Sequence, residues 1–424
     1  MSTKNPTQEN RPDNLSQNLQ KNSQASAPKS VEAHSAQTQS AACSSLYIGL
    51  MSGTSLDGVD GVLVRLSDNG GEQMRLLASA YLPFSPSLRQ QALALQQPGE
   101  NEIMREALLA NELAAVYADC VQALLDKYPD AAGTDSAHPA NHGIRAIGVH
   151  GQTIRHRPEL GFTRQTNQPA LLAEMTNIDV IADFRSRDIA AGGQGAPLVP
   201  AFHRAVFGVE GECRVVVNIG GISNISILAA DGSTRGFDTG PGNVLMDAWM
   251  QRHQQKNYDA GGQWASQGKV IDSLLFNMLS EAYLQVTPPK STGRDLFHLK
   301  WLLQHLDQLG QAFNAVDIQA TLSAYTATTL ANAIMTYAEN VQQVLVCGGG
   351  AANTHLMQGL QSALRQAGSA ATVSSTAVAG VEPEQVEALA FAWLAQQFCL
   401  RRPGNLPDVT GAKGYRILGA LYPA

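Results

Sequence analysis

The sequence has few cysteines, few aromatic residues and no excess of positive charge. Five cysteines are scattered over 424 residues without a C-x-x-C pair, which argues against a disulfide framework and against a zinc site. Lysine and arginine number 29 against 36 acidic residues, and no basic stripe stands out, so nucleic acid is not expected as a partner. We therefore expect a cytoplasmic protein with reduced thiols.

Long apolar segments are also missing. The first 44 residues have no apolar signal-peptide region, and no later run is read as long and apolar enough to span a bilayer. The N-terminal stretch is rich in Ser, Gln, Asn and Ala, a composition that cannot bury enough apolar surface to offset the entropy of ordering. We predict that residues 1–44 form a disordered tail and that the protein has no membrane partner.

Familiar catalytic signatures are absent. The chain contains no G-x-S-x-G elbow and no H-E-x-x-H motif, which leaves hydrolase and metalloprotease functions with little support. Residues 287–295, TPPKSTGRD, look like a phosphate loop but do not form a Walker A motif, because Leu284 stands where the first glycine should be.

Glycine, in contrast, is abundant and concentrated at the ends of predicted strands. Strand-like runs at residues 47–51 and 62–66 flank the small polar segment SGTSLDGVDG. Backbone N–H groups in such a turn can bind an anion, and the Ser and Thr hydroxyls add donors. Asp57 would repel a phosphate unless a cation lay between them. We interpret the segment as a phosphate-binding hairpin, the alternative being an ordinary tight hairpin with a polar tip.

Two further glycine turns lie in the second half of the chain. Residues 215–228 repeat the strand, glycine turn, strand pattern around Gly220 and Gly221. Residues 347–353, CGGGAAN, join a predicted strand to a helix N-terminus, a favourable place for nucleotide phosphates. Two similar lobes that face each other would place two anion-binding turns across one cleft.

Charged residues near these turns are candidates for chemistry. Asp238 lies in GFDTGPGN, just before a predicted helix, and a carboxylate in a turn of small residues can act as a general base. A helix-capping aspartate is the structural alternative. Arg185 and Arg187 follow a predicted strand and could hold a carboxylate or pair with Asp183 or Asp188. Thr153 also follows a strand end, where ligands bind in open α/β sheets.

Five motifs in this order resemble those of the anhydro-N-acetylmuramic acid kinase family. They lie at residues 51–60, 150–155, 190–197, 236–243 and 347–353. The resemblance implies an α/β chain with the two-lobed actin-like ATPase fold of sugar kinases, actin and heat-shock chaperones. Each lobe would be a mixed five-stranded β-sheet flanked by helices, with ATP in the cleft between the lobes. We expect the N-terminal lobe at residues 45–200 and the C-terminal lobe at residues 201–424.

The resemblance also implies the roles of the site residues. Asp238 would be the catalytic base, and Thr153, Arg187 and Glu387 would bind the substrate, although Arg185 could take the place of Arg187. Glu387 could alternatively be a partner of its own helix dipole. Asp57 would bind a Mg²⁺ ion. The implied ATP-binding residues are Gly53, Thr54, Ser55, Leu56, Asp57, Gly58, Val59, Asp60, Gly220, Gly348 and Gly349.

The implied reaction uses ATP and water. It opens the ring of 1,6-anhydro-N-acetylmuramic acid, a small amino sugar from peptidoglycan recycling, and yields N-acetylmuramic acid 6-phosphate and ADP. Two alternatives stay open, a conventional sugar or acetate kinase and a non-catalytic actin-like nucleotide switch. The family resemblance also implies a homodimer.

Removal of the N-terminal tail should leave the activity unchanged. A chain that starts at Ser45 should turn over substrate at the rate of the full chain, because the removed segment is too polar to contribute to a packed core. Steady-state assays of the two proteins side by side test this expectation, and a loss of activity in the shorter chain would contradict it.

Overall fold

The structure is a computed structural model that describes residues 44–53, 56–68, 74–129 and 143–424. The tail predicted over residues 1–44 lies outside the described residues except for Ser44, which begins the first strand. Thr54 and Ser55 of the predicted phosphate hairpin also lie outside the described residues.

The strands and helices within the described ranges are as follows. The strands are β1 (Ser44–Met51), β2 (Gly58–Ser67), β3 (Arg75–Pro83), β4 (Ile144–Val149), β5 (Gln152–Arg157), β6 (Phe162–Thr166), β7 (Val180–Ala182), β8 (Cys213–Ile219), β9 (Ile222–Leu228), β10 (Thr234–Pro241), β11 (Val341–Cys347), β12 (Thr372–Ser375) and β13 (Ala420–Tyr422). The α-helices are α1 (Pro86–Leu95), α2 (Glu102–Lys127), α3 (Pro169–Thr176), α4 (Ser186–Ala190), α5 (Val199–Phe207), α6 (Val244–Gln254), α7 (Asp272–Leu279), α8 (Leu299–Leu309), α9 (Ala315–Tyr337), α10 (Thr354–Gln366), α11 (Val386–Cys399) and α12 (Pro407–Thr410).

The two larger sheets share one plan. In the first, with the order β13-β7-β4-β1-β2-β3, β1 pairs in parallel with β4 and antiparallel with β2. In the second, with the order β10-β9-β8-β11-β12, β8 pairs in parallel with β11 and antiparallel with β9. Each sheet thus continues a hairpin with parallel strands. The predicted α/β fold with two mixed sheets flanked by helices is confirmed.

The first sheet differs from the prediction in its number of strands. The family resemblance implied five strands, whereas the sheet has six, because β13 pairs antiparallel with β7. The last strand of the chain thereby returns to the sheet that its first strand begins. The boundary between lobes expected at residue 200 stays a prediction.

Helix α2 covers one face of the first sheet. By length and composition it could cross a membrane, contrary to the expectation that no run in the sequence could. Half of its most apolar window, 50%, is buried inside the molecule, where Leu109, Leu113 and Tyr117 belong to the first core. A core helix of a globular protein has these same properties.

Helix α11 lies in the core between the two large sheets. Its residues Leu389 and Phe391 share one hydrophobic cluster with Val62 of the first sheet and with Val216 and Leu345 of the second. The contact with the first sheet is so close that it requires glycine in the sheet. A Cβ atom added to Gly148 of β4 would lie 2.1 Å from the carbonyl oxygen of Phe391. One added to Gly49, which pairs with Gly148, would lie 1.9 Å from the Ala388 carbonyl oxygen.

Substitution of Gly148 by alanine should therefore destabilise the protein. The added methyl group must push α11 away from β4, and overpacking of this kind costs roughly 1–3 kcal/mol. The free energy of unfolding from chemical denaturation measures the loss.

Gly359→Ala is a matched control, because the added Cβ on α10 would meet Ala327 at an ordinary 3.5 Å. Alanine also favours a helix by about 1 kcal/mol relative to glycine. Equal stabilities of Gly148→Ala and the unmodified protein would show that α11 does not need this close contact.

Candidate active site

The turn between β1 and β2 is held in place by side chains of α2 and β5. The Ser52 hydroxyl lies 2.7 Å from the Tyr117 hydroxyl. The Gly53 carbonyl oxygen accepts hydrogen bonds from the Leu56 N–H at 3.2 Å and from Gln152 Nε2 at 3.0 Å. These bonds fix the described part of the predicted phosphate hairpin beside the start of β5.

Two of the predicted ATP-binding residues, Leu56 and Val59, have buried side chains and could offer a ligand only their backbone. The side chains of Leu56 and Val59 are 1% and 0% exposed and belong to the first hydrophobic core. Gly58 is in tight contact, because a Cβ atom there would lie 2.4 Å from the Leu82 carbonyl oxygen. Side-chain contact with a ligand at this hairpin is therefore left to its polar residues.

Carboxyl groups converge beside this hairpin. Burial raises the pKa of Asp60 on β2 to about 7, and the negative charges of Asp57, Glu387 and Glu384 add to the rise. Asp57 is exposed and Asp60 is half-buried. The predicted metal-side Asp57 thus belongs to an acidic group formed jointly by the hairpin and the start of α11.

Glu387 connects this acidic group to the second sheet. It lies in the first turn of α11, and its Oε1 accepts a hydrogen bond from Asn218 Nδ2 at 3.3 Å. Burial raises the pKa of Glu387, while the positive charge of Arg185 and the Asn218 hydrogen bond oppose the rise.

The structure places Arg185 and Arg187 in different surroundings. Arg185 donates from Nε and Nη2 to His150 Nε2, at 3.1 and 3.0 Å, and from Nη1 to the Gly195 carbonyl oxygen at 2.8 Å. Arg187 is exposed on α4. Among the described residues neither arginine forms an ion pair with Asp183 or Asp188. Arg185 is therefore held by the protein, whereas Arg187 faces solvent.

Asp188 has a structural role in the glycine-rich segment at residues 190–197. It is fully buried, and its Oδ2 accepts from the Gly195 N–H at 2.8 Å. Its Oδ1 accepts from Asn405 Nδ2 at 2.7 Å and from the Thr410 hydroxyl at 2.8 Å. This carboxylate ties the segment that positions Arg185 to the C-terminal part of the chain.

Thr153 lies on β5, in a separate two-stranded sheet with β6. The sequence interpretation did not include this small sheet. The Thr153 hydroxyl is half-buried and accepts a hydrogen bond from Gln165 Nε2 at 3.2 Å. The strand begins two residues after His150, the residue that binds Arg185.

Asp238 lies on a strand, and the prediction that it occupies a turn is wrong. It pairs with Asn224 across β9 and β10, and the register shifts between Asp238 and Gly240. Such an irregularity near the end of a strand changes the direction in which a side chain points. The glycine-rich residues 236–241 are extended because they pair with β9, an interaction that local composition does not reveal.

The Asp238 carboxylate is held on one side by a loop. The N–H of Thr292 donates to Asp238 Oδ2 at 3.0 Å, and the N–H of Asp238 donates to the Lys290 carbonyl oxygen at 3.2 Å. Burial raises the pKa of Asp238 to about 6, and the Thr292 N–H partly opposes the rise. A carboxylate with this pKa is ionised at neutral pH and basic enough to accept a proton.

Two asparagines that the sequence interpretation missed connect Asp238 to Glu387. Asn218 pairs with Asn224, and Asn224 pairs with Asp238, across β8, β9 and β10. Directly paired residues project from the same face of a sheet, so the three side chains form one polar row. Two strand spacings place Asp238 about 10 Å from Asn218. Asn218 and Asn224 each lie between buried residues on their strands, and this pattern is the signal that could have revealed them.

The remaining glycine turns adjoin this row. Gly348 has a φ of 75°, and a Cβ atom on it would lie 2.3 Å from Asn218 Oδ1. Gly349 is open, with Asn243 Nδ2 the nearest atom to an added Cβ at 4.0 Å. The Gly220 carbonyl oxygen accepts from the Asn243 N–H at 2.8 Å. The structure therefore brings the second and third predicted glycine turns together around Asn218 and Asn243.

Comparisons with known proteins identify the family. The family model described as anhydro-N-acetylmuramic acid kinase matches residues 45–424. The anhydro-N-acetylmuramic acid kinase of Burkholderia orbicola (strain AU 1054) is 58% identical over 379 residues, which cover 89% of this chain and 96% of that protein. The protein of the same name from Cupriavidus metallidurans is 55% identical over 388 residues, 90% of this chain and 98% of its own.

One solved structure that matches is a ROK family glucokinase from Streptomyces griseus in complex with glucose and AMPPNP. The TM-score is 0.37 at 14% identity, and the match covers 83% of this chain and 99% of the other. The family model and the two curated relatives together span nearly the whole described chain. This chain belongs to the anhydro-N-acetylmuramic acid kinase family.

Proposed function

We propose that this kinase uses ATP and water to open the 1,6-anhydro ring of 1,6-anhydro-N-acetylmuramic acid and to phosphorylate the released O6. The products are N-acetylmuramic acid 6-phosphate and ADP, in peptidoglycan recycling. The observation that carries the proposal is the Asp238 carboxylate, which is half-buried, held by the Thr292 N–H and has a pKa raised to about 6.

Asp238 acts as the general base. It removes a proton from a water molecule that attacks the anomeric carbon, and the bond from that carbon to the bridging oxygen breaks. The released O6 then accepts the γ-phosphoryl group of ATP. The Thr292 N–H leaves Oδ1 of the carboxylate available to the water while it fixes Oδ2. Positioned base catalysis of this kind contributes roughly 10²–10⁴-fold to rate.

Thr153, Arg187 and Glu387 bind the sugar in this proposal. Arg187 is exposed and has no described ion pair, so its guanidinium is available for a bidentate contact with the lactyl carboxylate. Arg185 is already bound to His150 and to the Gly195 carbonyl oxygen. This difference supports Arg187 over Arg185 as the direct ligand.

The ATP phosphates lie against the glycine turns, with Gly53, Thr54, Ser55, Leu56, Asp57, Gly58, Val59, Asp60, Gly220, Gly348 and Gly349 as the binding residues. Within the described ranges no three His, Cys, Asp or Glu side chains form a ready metal site. Mg²⁺ usually takes one or two carboxylates and completes its shell with water and phosphate oxygens. Asp57 beside Asp60 fits that requirement. When bound, the ion neutralises charge on the phosphates.

We also propose a homodimer in the cytoplasm. Family membership supports the dimer. The cysteines in the described part of the chain, Cys120, Cys213, Cys347 and Cys399, carry free thiols, as expected in a reducing compartment.

Asp238→Asn should abolish turnover. The amide cannot accept the proton of the attacking water, so kcat should fall by roughly 10²–10⁴-fold, while affinity for ADP changes little. Asp231→Asn is a matched control, because Asp231 is exposed at the turn before β10. Near-normal kcat in Asp238→Asn would remove this residue from its role as base.

The source of the oxygen on the anomeric carbon distinguishes the proposed reaction from a conventional kinase. In oxygen-18 water, ring opening by water places one labelled oxygen on the anomeric carbon, and mass spectrometry of the product detects it. A conventional kinase would use Asp238 to deprotonate a substrate hydroxyl and would leave the product unlabelled.

The pH dependence should report the ionisation of Asp238. The base must be unprotonated, so kcat/KM should fall as the pH drops through about 6, the raised pKa of this group. Asp60 has a pKa raised to about 7 beside the phosphate hairpin, so ADP affinity is measured over the same range to separate the two. A kcat/KM that is constant between about pH 5 and pH 7 would contradict the assignment.

A further inference from the structure

Arg294 lies beside the second glycine turn. Its Nη2 is 3.6 Å, and its Nε 3.9 Å, from the point where a Cβ atom on Gly221 would lie. The residue is exposed. No hydrogen bond or ion pair joins its guanidinium to another residue in the described ranges. The guanidinium beside this glycine turn is thus available to a ligand.

The peptide groups of this turn have a fixed orientation. The Gly220 carbonyl oxygen accepts from the Asn243 N–H at 2.8 Å, and the Gly221 carbonyl oxygen accepts from the Gly242 N–H at 2.9 Å. In a planar trans peptide the N–H points opposite to the carbonyl. The N–H of Gly221 therefore points away from the start of α6, and this part of the turn offers a donor for an anion.

The nearby carboxyl group of Asp247 does not neutralise Arg294 fully. Burial raises the pKa of Asp247 on α6 to about 7, and Arg294 partly opposes that rise. No ion pair within the described ranges joins the two side chains, so the positive charge of Arg294 remains available to a ligand.

The loop that carries Arg294 is the loop that holds Asp238. Thr292 donates its N–H to the Asp238 carboxylate, and Lys290 accepts the N–H of Asp238. Lys290 Nζ is itself anchored to the carbonyl oxygens of Tyr283 at 3.3 Å and Leu284 at 3.1 Å. Arg294 is therefore two residues beyond a contact with the proposed base, on an anchored segment.

We propose that Arg294 binds a phosphate group of the nucleotide at the Gly220–Gly221 turn. The inference rests on the proposed function, which places the nucleotide at this turn. A guanidinium matches two phosphate oxygens in a bidentate contact, and the contact lies on the loop that holds Asp238. Arg294 is then a nucleotide-binding residue within residues 287–295, the segment that looks like a phosphate loop without forming a Walker A motif.

Arg294→Gln tests the proposal by calorimetric titration with ADP in the absence of sugar. The loss of charge-assisted hydrogen bonds should weaken ADP binding about ten-fold to a hundred-fold. Arg294→Lys keeps the charge but not the bidentate geometry, and it should lose less. Arg252→Gln removes the same charge from the exposed last turn of α6 and should bind ADP normally.

Asp247→Asn separates phosphate binding from a structural ion pair. If Arg294 serves only to pair with Asp247, Asp247→Asn should weaken ADP binding as much as Arg294→Gln does, and the proposal is overturned. Unchanged or tighter ADP binding in Asp247→Asn supports the proposal.

The carboxylate of the sugar is an alternative ligand for Arg294. A titration of the same variant with the sugar distinguishes it from the phosphate. Weaker sugar binding with normal ADP affinity in Arg294→Gln would overturn the assignment to phosphate. The ADP titration does not depend on the identity of the sugar. Failure of the ring-opening reaction and failure of the Arg294 assignment are therefore separate results.

Discussion

The contact of α11 with β1 and β4 positions the proposed site. Gly49 and Gly148 are paired on adjacent strands, and their lack of side chains lets the backbone of α11 rest directly on the sheet. This depth places Glu387 where it interacts with Asp60 of the first hairpin and hydrogen-bonds to Asn218 of the second sheet. A helix held further from the sheet would separate these groups.

The site concentrates negative charge that the protein does not fully compensate. Burial raises the pKa values of Asp60, Asp238 and Glu387. A buried carboxyl group keeps its negative charge only when a cation or a hydrogen-bond donor lies close to it. Asp238 has the Thr292 N–H, and Glu387 has Asn218 and the nearby Arg185. The acidic group beside the hairpin is well suited to a hydrated divalent cation and repels phosphate in its absence.

Features set by local sequence were predicted well. The glycine turns and the strands β1, β8 and β9 appear close to their expected bounds. Strand β2 begins at Gly58 rather than at residue 62, because residues 58–61, which were expected in the turn, pair with β1 and β3. Helix α2 likewise has buried apolar residues at helical spacing, among them Leu109, Leu113 and Leu124. Backbone freedom at glycine and the period of apolar residues are local properties, so they can be read without knowledge of the fold.

Features that depend on distant pairing were missed. Residues 236–241 looked like a turn because of their glycines, but β9 pairs with them and extends them. The sixth strand of the first sheet forms from the last residues of the chain because β7 offers an open edge. The sequence could not show which of Arg185 and Arg187, separated by one residue, is held by the protein, since that depends on the distant residues His150 and Gly195.

The sequence by itself determined the two mixed sheets, the glycine turns and the family, because these depend on local backbone preferences and on ordered motifs. Only the tertiary structure decided that Asn218, Asn224 and Asp238 form one row. It also decided that Glu387 connects the first hairpin to the second sheet and that Arg294 lies near Gly221. The physical reason is that strand register and helix depth are set by contacts between residues far apart in the chain. No local pattern specifies which of those contacts form.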